Sequence, residues 1–396
     1  MAGKKLRVLY SINGDGLGHA FAALSILAHL SLQCDVLVLG WGEALKMVKS
    51  RGYATQSTFP EYRTHKNGEE VDLHETLNVV KMVRKVFKAL KREKRVFDSF
   101  RPDVVVADGR IATPILAGVY GVPLVNIGNQ FSNYEKFFNG AKKAALTLSA
   151  KLLFKAGELS KATILVRDFP PPRDVSEGLV DSRKLKNVSY VGPCIVWPKA
   201  RRAKKKAGEK KLVLCSISGT GLGKSLLEKI YAASKDLKGC EFVVFSKAHG
   251  IKLRNSANFR FVKKFNDAEL YDYYSRADAY VGLPGHNAVM QCLCFGVPMV
   301  LAYPRNHLEQ MHNAESVHRK NVGVSLGSNP TESDVAKAVK RVASETSFKR
   351  NAMEYFRLYG KFNGARKAAQ VIMEKARKGK ARKTLADVLG SISRGK

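Results

Sequence analysis

The chain has 396 residues, 45% of them hydrophobic and 26% charged, with 68 Lys and Arg against 34 Asp and Glu and a formal net charge of +34. That length and apolar content exclude wholesale disorder and predict two domains of ordinary size. The basic excess is more than solubility requires; it points to an anionic partner (nucleic acid, an anionic membrane surface or a phosphorylated substrate) or to a generally basic proteome.

The chain opens with LRVLYSI from Leu6, an apolar run too short for a secretory signal and read as a first strand. The Gly-rich turn Asn13, Gly14, Asp15, Gly16, Leu17, Gly18, His19 follows at once. Glycines after a strand let backbone approach a ligand, and a helix starting there offers free N–H groups and a positive dipole end. The turn is not a dinucleotide fingerprint, because the third glycine position is His19. A His in such a loop is a candidate general base or phosphate donor, and otherwise a capping residue.

CDVLVLG and DVVVADG read as further buried strands. Between them, Leu73, Leu77, Val80, Val83, Phe87 and Leu90 recur at helical spacing over 73–97, with Lys81, Lys85, Lys88, Arg92 and Arg95 as a stripe on another face. Asp108 ends an apolar strand, a position an Mg²⁺-binding acid could occupy in a nucleotide hydrolase. Asn129 and Gln130 follow the strand PLVNIG. The segment 136–161 mixes Phe137, Phe138, Leu148, Leu152 and Phe154 with four lysines, a pattern that fits either an anionic membrane surface or a core-facing helix.

VGPCIVWPKARRAKKKAGEKK marks a boundary near 195–210, separating a first domain over 1–200 from a second over 208–350. In the second, KLVLCSIS, EFVVFS, AYVGL and PMVLAY read as strands. Strand-then-helix alternation in both halves predicts parallel sheets with crossover helices. The turn from Ser218 to Ser225 misses a phosphate-binding P-loop by one residue, since Ser218 stands where its first glycine belongs. In 283–313, AYVGL leads into Pro284-Gly285 and a helix beginning near His286, which can set a diphosphate on a helix N-terminus. Glu309, Gln310 and Asn313 follow with side chains able to bond hydroxyl groups. A helix over 351–375 is expected to pack back on the first domain, followed by a loosely ordered basic tail, 376–396.

The six cysteines form no CxxC pair and lie mostly in apolar runs, as buried reduced thiols would. No stretch reaches the roughly 18 apolar residues of a membrane span. A cytoplasmic protein is expected, peripheral on the inner face of the cell membrane if its basic helices meet lipid.

The segments 7–20, 102–131 and 280–326 resemble GT-B glycosyltransferases of the family-28 type, which includes the lipid-intermediate N-acetylglucosaminyltransferases. An uncharacterised archaeal branch with a Gly-Leu-Gly-His first loop is closer still. The resemblance implies an α/β fold of two Rossmann-like domains facing across a cleft, the first taking the acceptor and the second a nucleotide sugar, without cofactor or metal. By position, Gly285, His286 and Asn287 would face the donor diphosphate, and Gln310 and Asn313 the sugar hydroxyls. Gly219, Gly221 and Gly223 would admit the donor to the second-domain loop. His19, with Asp15 as second choice, would be the base, and Gly16, Gly18, Asn129 and Gln130 would line the acceptor side. Where the family usually has a ribose-binding glutamate, this chain has Gln291, a weaker acceptor than a carboxylate.

The function so implied is transfer of a hexose or N-acetylhexosamine, by inversion, from a nucleoside-diphosphate sugar, UDP first, to a polyprenyl-phosphate-linked or other anionic acceptor. The alternative is a nucleic-acid- or anion-binding protein on a retained fold, motivated by the charge and by Gln291. No aromatic-basic RNA motif or DNA-reading helix stands out in its favour.

Overall fold

The computed structural model describes residues 5–61, 65–67, 70–72, 79–130, 162–180, 185, 187–197, 199–203, 208–217, 222–246, 253–263 and 265–394, with backbone alone at 66, 67, 79 and 381–394. The segment 136–161 and the turn residues 218–221, which include Gly219 and Gly221, lie outside the described residues.

The first domain begins with β1 (Leu6–Ile12), α1 (Gly18–Leu30), β2 (Cys34–Gly40), α2 (Gly42–Ser50) and β3 (Thr55–Ser57). A short antiparallel pair follows, β4 (Lys66–Asn67) and β5 (Glu70–Val71). Then come α3 (Val79–Phe100), β6 (Val104–Asp108), α4 (Ala112–Val119), β7 (Leu124–Gly128), β8 (Thr163–Val166) and β9 (Val188–Tyr190). Seven strands form one sheet in the order β3-β2-β1-β6-β7-β8-β9, with parallel pairing throughout. Alternate residues of β1 serve opposite faces. Val8, Tyr10 and Ile12 pack with α1, while Leu9 joins Val96, Phe97, Val105 and Leu116 under α3 and α4. Strands apolar on both sides are what a parallel sheet covered by helices requires.

The second domain repeats the plan with β10 (Lys211–Ser216), α5 (Lys224–Asp236), β11 (Cys240–Phe245), β12 (Phe259–Val262), α6 (Asp267–Arg276), β13 (Ala279–Gly282), α7 (His286–Cys294), β14 (Met299–Leu301), α8 (Leu308–Arg319), β15 (Gly323–Ser325) and α9 (Glu332–Ser344). Its six strands run β12-β11-β10-β13-β14-β15, again parallel. The two sheets give the fold expected from the strand and helix alternation.

The 73–97 spacing is helical where it is described: α3 buries Ala89, Glu93, Val96 and Phe97 and leaves Val80, Val83 and Phe87 exposed, while Leu73 and Leu77 lie outside the described residues. Two other local expectations need correction. The 351–375 helix is two helices, α10 (Thr346–Tyr359) and α11 (Gly364–Arg394), broken at residues 360–363. Helix α10 packs on α7 of the second domain, and α11 lies against α1, β1, β6 and β7 of the first. Nor does helix end near 375: Ala365, Ala368, Ala369, Ile372, Met373 and Ala376 share one buried face at helical spacing, and helical backbone runs on to Arg394. Gly379 permits this docking, since a Cβ there would stand 2.0 Å from the Asp103 carbonyl. The inter-domain segment is also packed. Cys194 joins the first-domain core and Ile195 and Trp197 the second. Trp197 meets the rings of Tyr271, Tyr274 and Phe295.

Candidate functional site

Each sheet reverses its strand order once, between β1 and β6 and between β10 and β13. Loops leaving the carboxyl ends of two such strands diverge in opposite directions and leave a crevice, the usual ligand position in open α/β sheets. The first crevice holds the Asn13–His19 loop and Asp108. The second holds Ile217 and the loop running through Pro284 to His286.

His19 stands in the first turn of α1, and its Nδ1 lies 2.8 Å from Asp108 Oδ1. Asp108 is 1% exposed, whereas the His19 side chain is 27% exposed, so the far edge of the imidazole remains reachable. Arg167, one residue beyond β8, places Nη2 3.5 Å from the same carboxylate oxygen. Burial alone would push the Asp108 carboxyl up, but Arg167, His19 and His286 together hold it below the ordinary carboxylate range. An ionised Asp108 accepts the Nδ1–H proton and leaves Nε2 as the basic nitrogen. Asp108 therefore partners a histidine and an arginine.

The loop that carries Asp108 is anchored by a fully buried ionic network. Arg110 bonds Glu61 at 2.6 Å and also Glu93, donates to Ser11 Oγ at 2.8 Å and stacks over Trp41. Glu61 accepts the backbone N–H groups of Ile111 and Ala112 at the start of α4. Thr58 and Thr113 both donate to Glu93. Burial raises the Glu93 carboxyl, and Glu61 adds to that against the opposing pull of Arg110.

The two crevices face each other. Asn287 Nδ2 donates to the Gly18 carbonyl at 2.5 Å, so the N-termini of α1 and α7 meet. Neither terminus carries a side-chain cap. Two such ends with free N–H groups make an electropositive junction suited to an anion. His286 is buried, with Nε2 3.4 Å from Asp168 Oδ2 across the domain boundary. Asp168 is itself fixed by the N–H groups of Phe169, Val175 and Ser176. Farther along the cleft Asn129 donates to Glu309 at 3.2 Å. Arg51 pairs with Asp267 at 2.8 Å, and Val71 donates its N–H to the Arg305 carbonyl.

The remaining expected site residues divide. Gly16 (φ +84°) has left-handed backbone and nothing within 4 Å of a Cβ, as has Gly285 in ordinary extended geometry; both border open space. Asp15 sits in the His19 loop with its N–H on Asn13 Oδ1. Gln130 ends the described stretch after β7, half-buried beside Asn129. Gly223 (φ +89°) faces Leu283 and Ile217 at 3.2–3.3 Å, so the turn and the core account for it. Asn313 is fully buried and donates to the Pro284 carbonyl at 2.9 Å, clamping the loop before His286. Gln310 Nε2 lies 3.2 Å from His307 Nε2. The amide oxygen of Gln291 accepts from the Tyr274 hydroxyl at 3.0 Å. Among the described residues His286 Nδ1, Gln310 Oε1, Asn313 Oδ1 and Arg167 Nε and Nη1 are buried without a hydrogen-bond partner.

Arg167, Asp168 and the Arg110 network were not among the expected site residues, and Asp108 was expected only as a metal-binding acid of the hydrolase alternative. Asp108 carried one usable signal: it ends the strand that neighbours β1 wherever the order reverses after the first strand. The others carried none.

The chain matches the model of glycosyl transferase family 1 over residues 6–343. It is 25% identical over 383 residues to an uncharacterised glycosyltransferase of Methanosarcina acetivorans, covering 93% of this chain and 98% of that protein. It is 22% identical over 362 residues to the UDP-N-acetylglucosamine–N-acetylmuramyl-(pentapeptide) pyrophosphoryl-undecaprenol N-acetylglucosamine transferase of Parabacteroides distasonis, covering 86% and 90%. Among solved structures it superposes on the spinosyn rhamnosyltransferase SpnG complexed with thymidine diphosphate at a TM-score of 0.67 and 16% identity, over 92% of this chain and all of that one.

Proposed function

From the chain's membership of glycosyl transferase family 1, which makes it a glycosyltransferase of GT-B fold, we propose a reaction in which His19 deprotonates an acceptor hydroxyl and the α7 N-terminus receives a nucleoside diphosphate. The observation that carries this reading is the His19–Asp108 bond of 2.8 Å at the first crevice, opposite the uncapped start of α7. Asp108 holds the ring in the tautomer with Nε2 free and stabilises the imidazolium that forms, as a carboxylate does in a Ser-His-Asp triad. Asp15 remains the second candidate base.

The acceptor oxygen attacks the anomeric carbon, its proton passes to His19 Nε2, and the bond to the leaving diphosphate breaks with inversion. Negative charge grows on that diphosphate. Free N–H groups at Gly285–Asn287 and the His286 imidazole would meet that charge, and fixed donors need no reorganisation during the step. Gln310 and Asn313 offer buried amide oxygens to donor hydroxyls from α8. Gln291 with Tyr274 stands where the family-28 type places its ribose-binding glutamate, so the ribose meets a neutral pair. A UDP-sugar is the preferred donor, and a thymidine diphosphate sugar is the alternative that the SpnG complex makes worth testing. A polyprenyl-phosphate-linked acceptor follows from the basic charge and from the substrate named for the Parabacteroides relative. The family-28 affinity rests on that same relative. The nucleic-acid alternative is not favoured, since family, relatives and fold are those of transferases.

The test is a calorimetric and thermal-shift screen against UDP-, dTDP- and GDP-sugars, with His286→Ala as control. Binding of one donor, lost in the folded variant, supports the reading. Failure of every nucleotide sugar to bind the folded protein overturns it.

A further inference from the structure

After β8 the chain leaves the first sheet and enters the core of the second domain. Phe169 and Val175 pack with Val289, Met290 and Leu293 of α7 and with Tyr355 of α10. Phe169 meets the rings of Tyr355 and Phe362, and Arg173 pairs with Glu354 at 2.8 Å. Lys320, just past α8, donates to the Pro172 carbonyl at 2.9 Å. Asp168 is thus embedded beside α7, although β8 belongs to the first sheet. Its contact with His286, 3.4 Å from Oδ2 to Nε2, lies on the donor side of the cleft.

The direction of that contact is fixed by its surroundings. Asp168 Oδ2 also accepts the N–H groups of Val175 at 2.9 Å and Ser176 at 2.8 Å, and Oδ1 accepts that of Phe169 at 2.7 Å. Oxygens used throughout as acceptors require the facing ring nitrogen to donate, so Nε2 carries the hydrogen. In the neutral ring Nδ1 is then a bare lone pair. It is buried and without a partner among the described residues, on a side chain 5% exposed. A diphosphate offers only lone pairs. Neutral His286 therefore repels it, whereas the imidazolium, with N–H at both nitrogens, bonds it. Other charges about the ring oppose one another. Asp168 and, through space, Asp108 favour a positive ring. Arg167, bonded to Asp108, and the positive end of α7 stand against it. Helix α1 adds His19, held by Asp108, and α8 adds Glu309, held by Asn129. Helix α10 adds the buried phenols Tyr355 and Tyr359. A diphosphate at the α7 N-terminus cancels the opposition of the helix and tips the balance toward imidazolium.

We propose that His286 takes up a proton when the donor diphosphate binds, and that Asp168 is the positioning residue that requires it, by holding Nε2–H and leaving Nδ1 to the diphosphate. This rests on the proposed function, in which the α7 N-terminus receives the donor. The proton comes from solvent and stays on Nδ1, bonded to a phosphate oxygen; no covalent bond of the donor forms or breaks in the step. Because the bound state holds one proton more than the free state, donor affinity rises as pH falls. The cleft then holds two Asp–His pairs of opposite task. With Asp108, His19 keeps a nitrogen free to accept a proton from an acceptor hydroxyl; with Asp168, His286 gains one to hold the leaving group.

Isothermal titration of the full chain with UDP-N-acetylglucosamine and with dTDP-glucose, in phosphate-free buffers of different ionisation enthalpy, counts the protons. The diphosphate of each probe is esterified at both ends and takes up none itself. At about pH 7.5, more than about half a proton should enter per donor bound, and affinity should fall about fivefold from about pH 7 to about pH 8. His286→Asn, whose amide N–H can stand in for Nδ1–H, should still bind, with no uptake and no pH slope. Asp168→Asn should take up less than about half as many protons as wild type and bind about tenfold more weakly at neutral pH. A merely structural Asp168 would change the melting temperature and leave the proton count per bound donor intact. If Asp168→Asn does not fold, the comparison of wild type with His286→Asn decides. Binding by wild type without proton uptake overturns the inference and leaves the proposed function standing. Uptake that persists in His286→Asn puts the proton on another group and overturns it too. A folded wild type that binds no nucleotide sugar sinks the proposed function, and this inference with it.

Discussion

At the residue scale, the proposed reaction turns on the contact between His19 and Asp108. General-base assistance contributes about 10²–10⁴ in rate, so His19→Ala and Asp108→Asn should each lower kcat by that order. The double variant should be little worse than the poorer single one, because a base and its orienting acid act as one unit. Additive losses in steady-state kinetics would separate the two residues and leave Asp15 as the better base. The pH dependence has a defined sign. Asp108 is held below the ordinary carboxylate range, so its pairing contributes stability that is complete above the unfolded value of about 3.9 and is lost as pH falls through the lower folded value. Asp108→Asn should remove that acid-side slope, and Arg167→Met should shift it to higher pH, both readable in urea melts between pH 2 and 6. Legibility at this scale was partial. His19 was visible because it interrupts a glycine loop after a strand. Asp108, 89 positions away, was visible only as an acid at a strand end, and its partner is a product of strand order.

At the element scale, the loop between β6 and α4 is held by Arg110, Glu61 and Glu93. Removing one member of a buried ion cluster leaves an uncompensated charge and costs about 3–5 kcal/mol. Arg110→Leu should therefore unfold the first domain at a temperature lower by at least several degrees in calorimetry. Glu61→Gln should be worse than Glu93→Gln at neutral pH. Glu61 accepts two backbone N–H groups that cap α4, while Glu93 accepts only from side chains and its carboxyl is raised by burial and by Glu61. Helix α3 shows what periodicity reveals and what it hides. Helical spacing was plain from Val80 to Leu90, but which apolar residues face the core depends on the sheet they meet, and Val80, Val83 and Phe87 stay exposed.

At the scale of the whole molecule, α11 ties the end of the chain to its beginning. Its alanine face closes the core formed by Val8, Tyr10 and α1, and Gly379 and Gly364 let backbone approach backbone. A chain ending at Asn363 should expose that core and lose the first-domain transition in calorimetry while the second domain still melts cooperatively. Gly379→Ala should destabilise by about 1–3 kcal/mol, the usual range for overpacking, because its Cβ meets a carbonyl and not a movable side chain.

The sequence by itself determined the fold class, the two parallel-sheet halves, the His19 loop and the Gly285–His286–Asn287 helix start, because these depend on local periodicity and on glycine at strand ends. Tertiary structure alone decided that His19 and Arg167 meet at Asp108, that Asn313 clamps Pro284 while Gln291 pairs with Tyr274, and that α10 packs on the second domain while α11 runs on past residue 375. Those relations join residues tens to hundreds of positions apart. They exist only after hydrophobic burial has set the strand order and brought the two helix N-termini face to face.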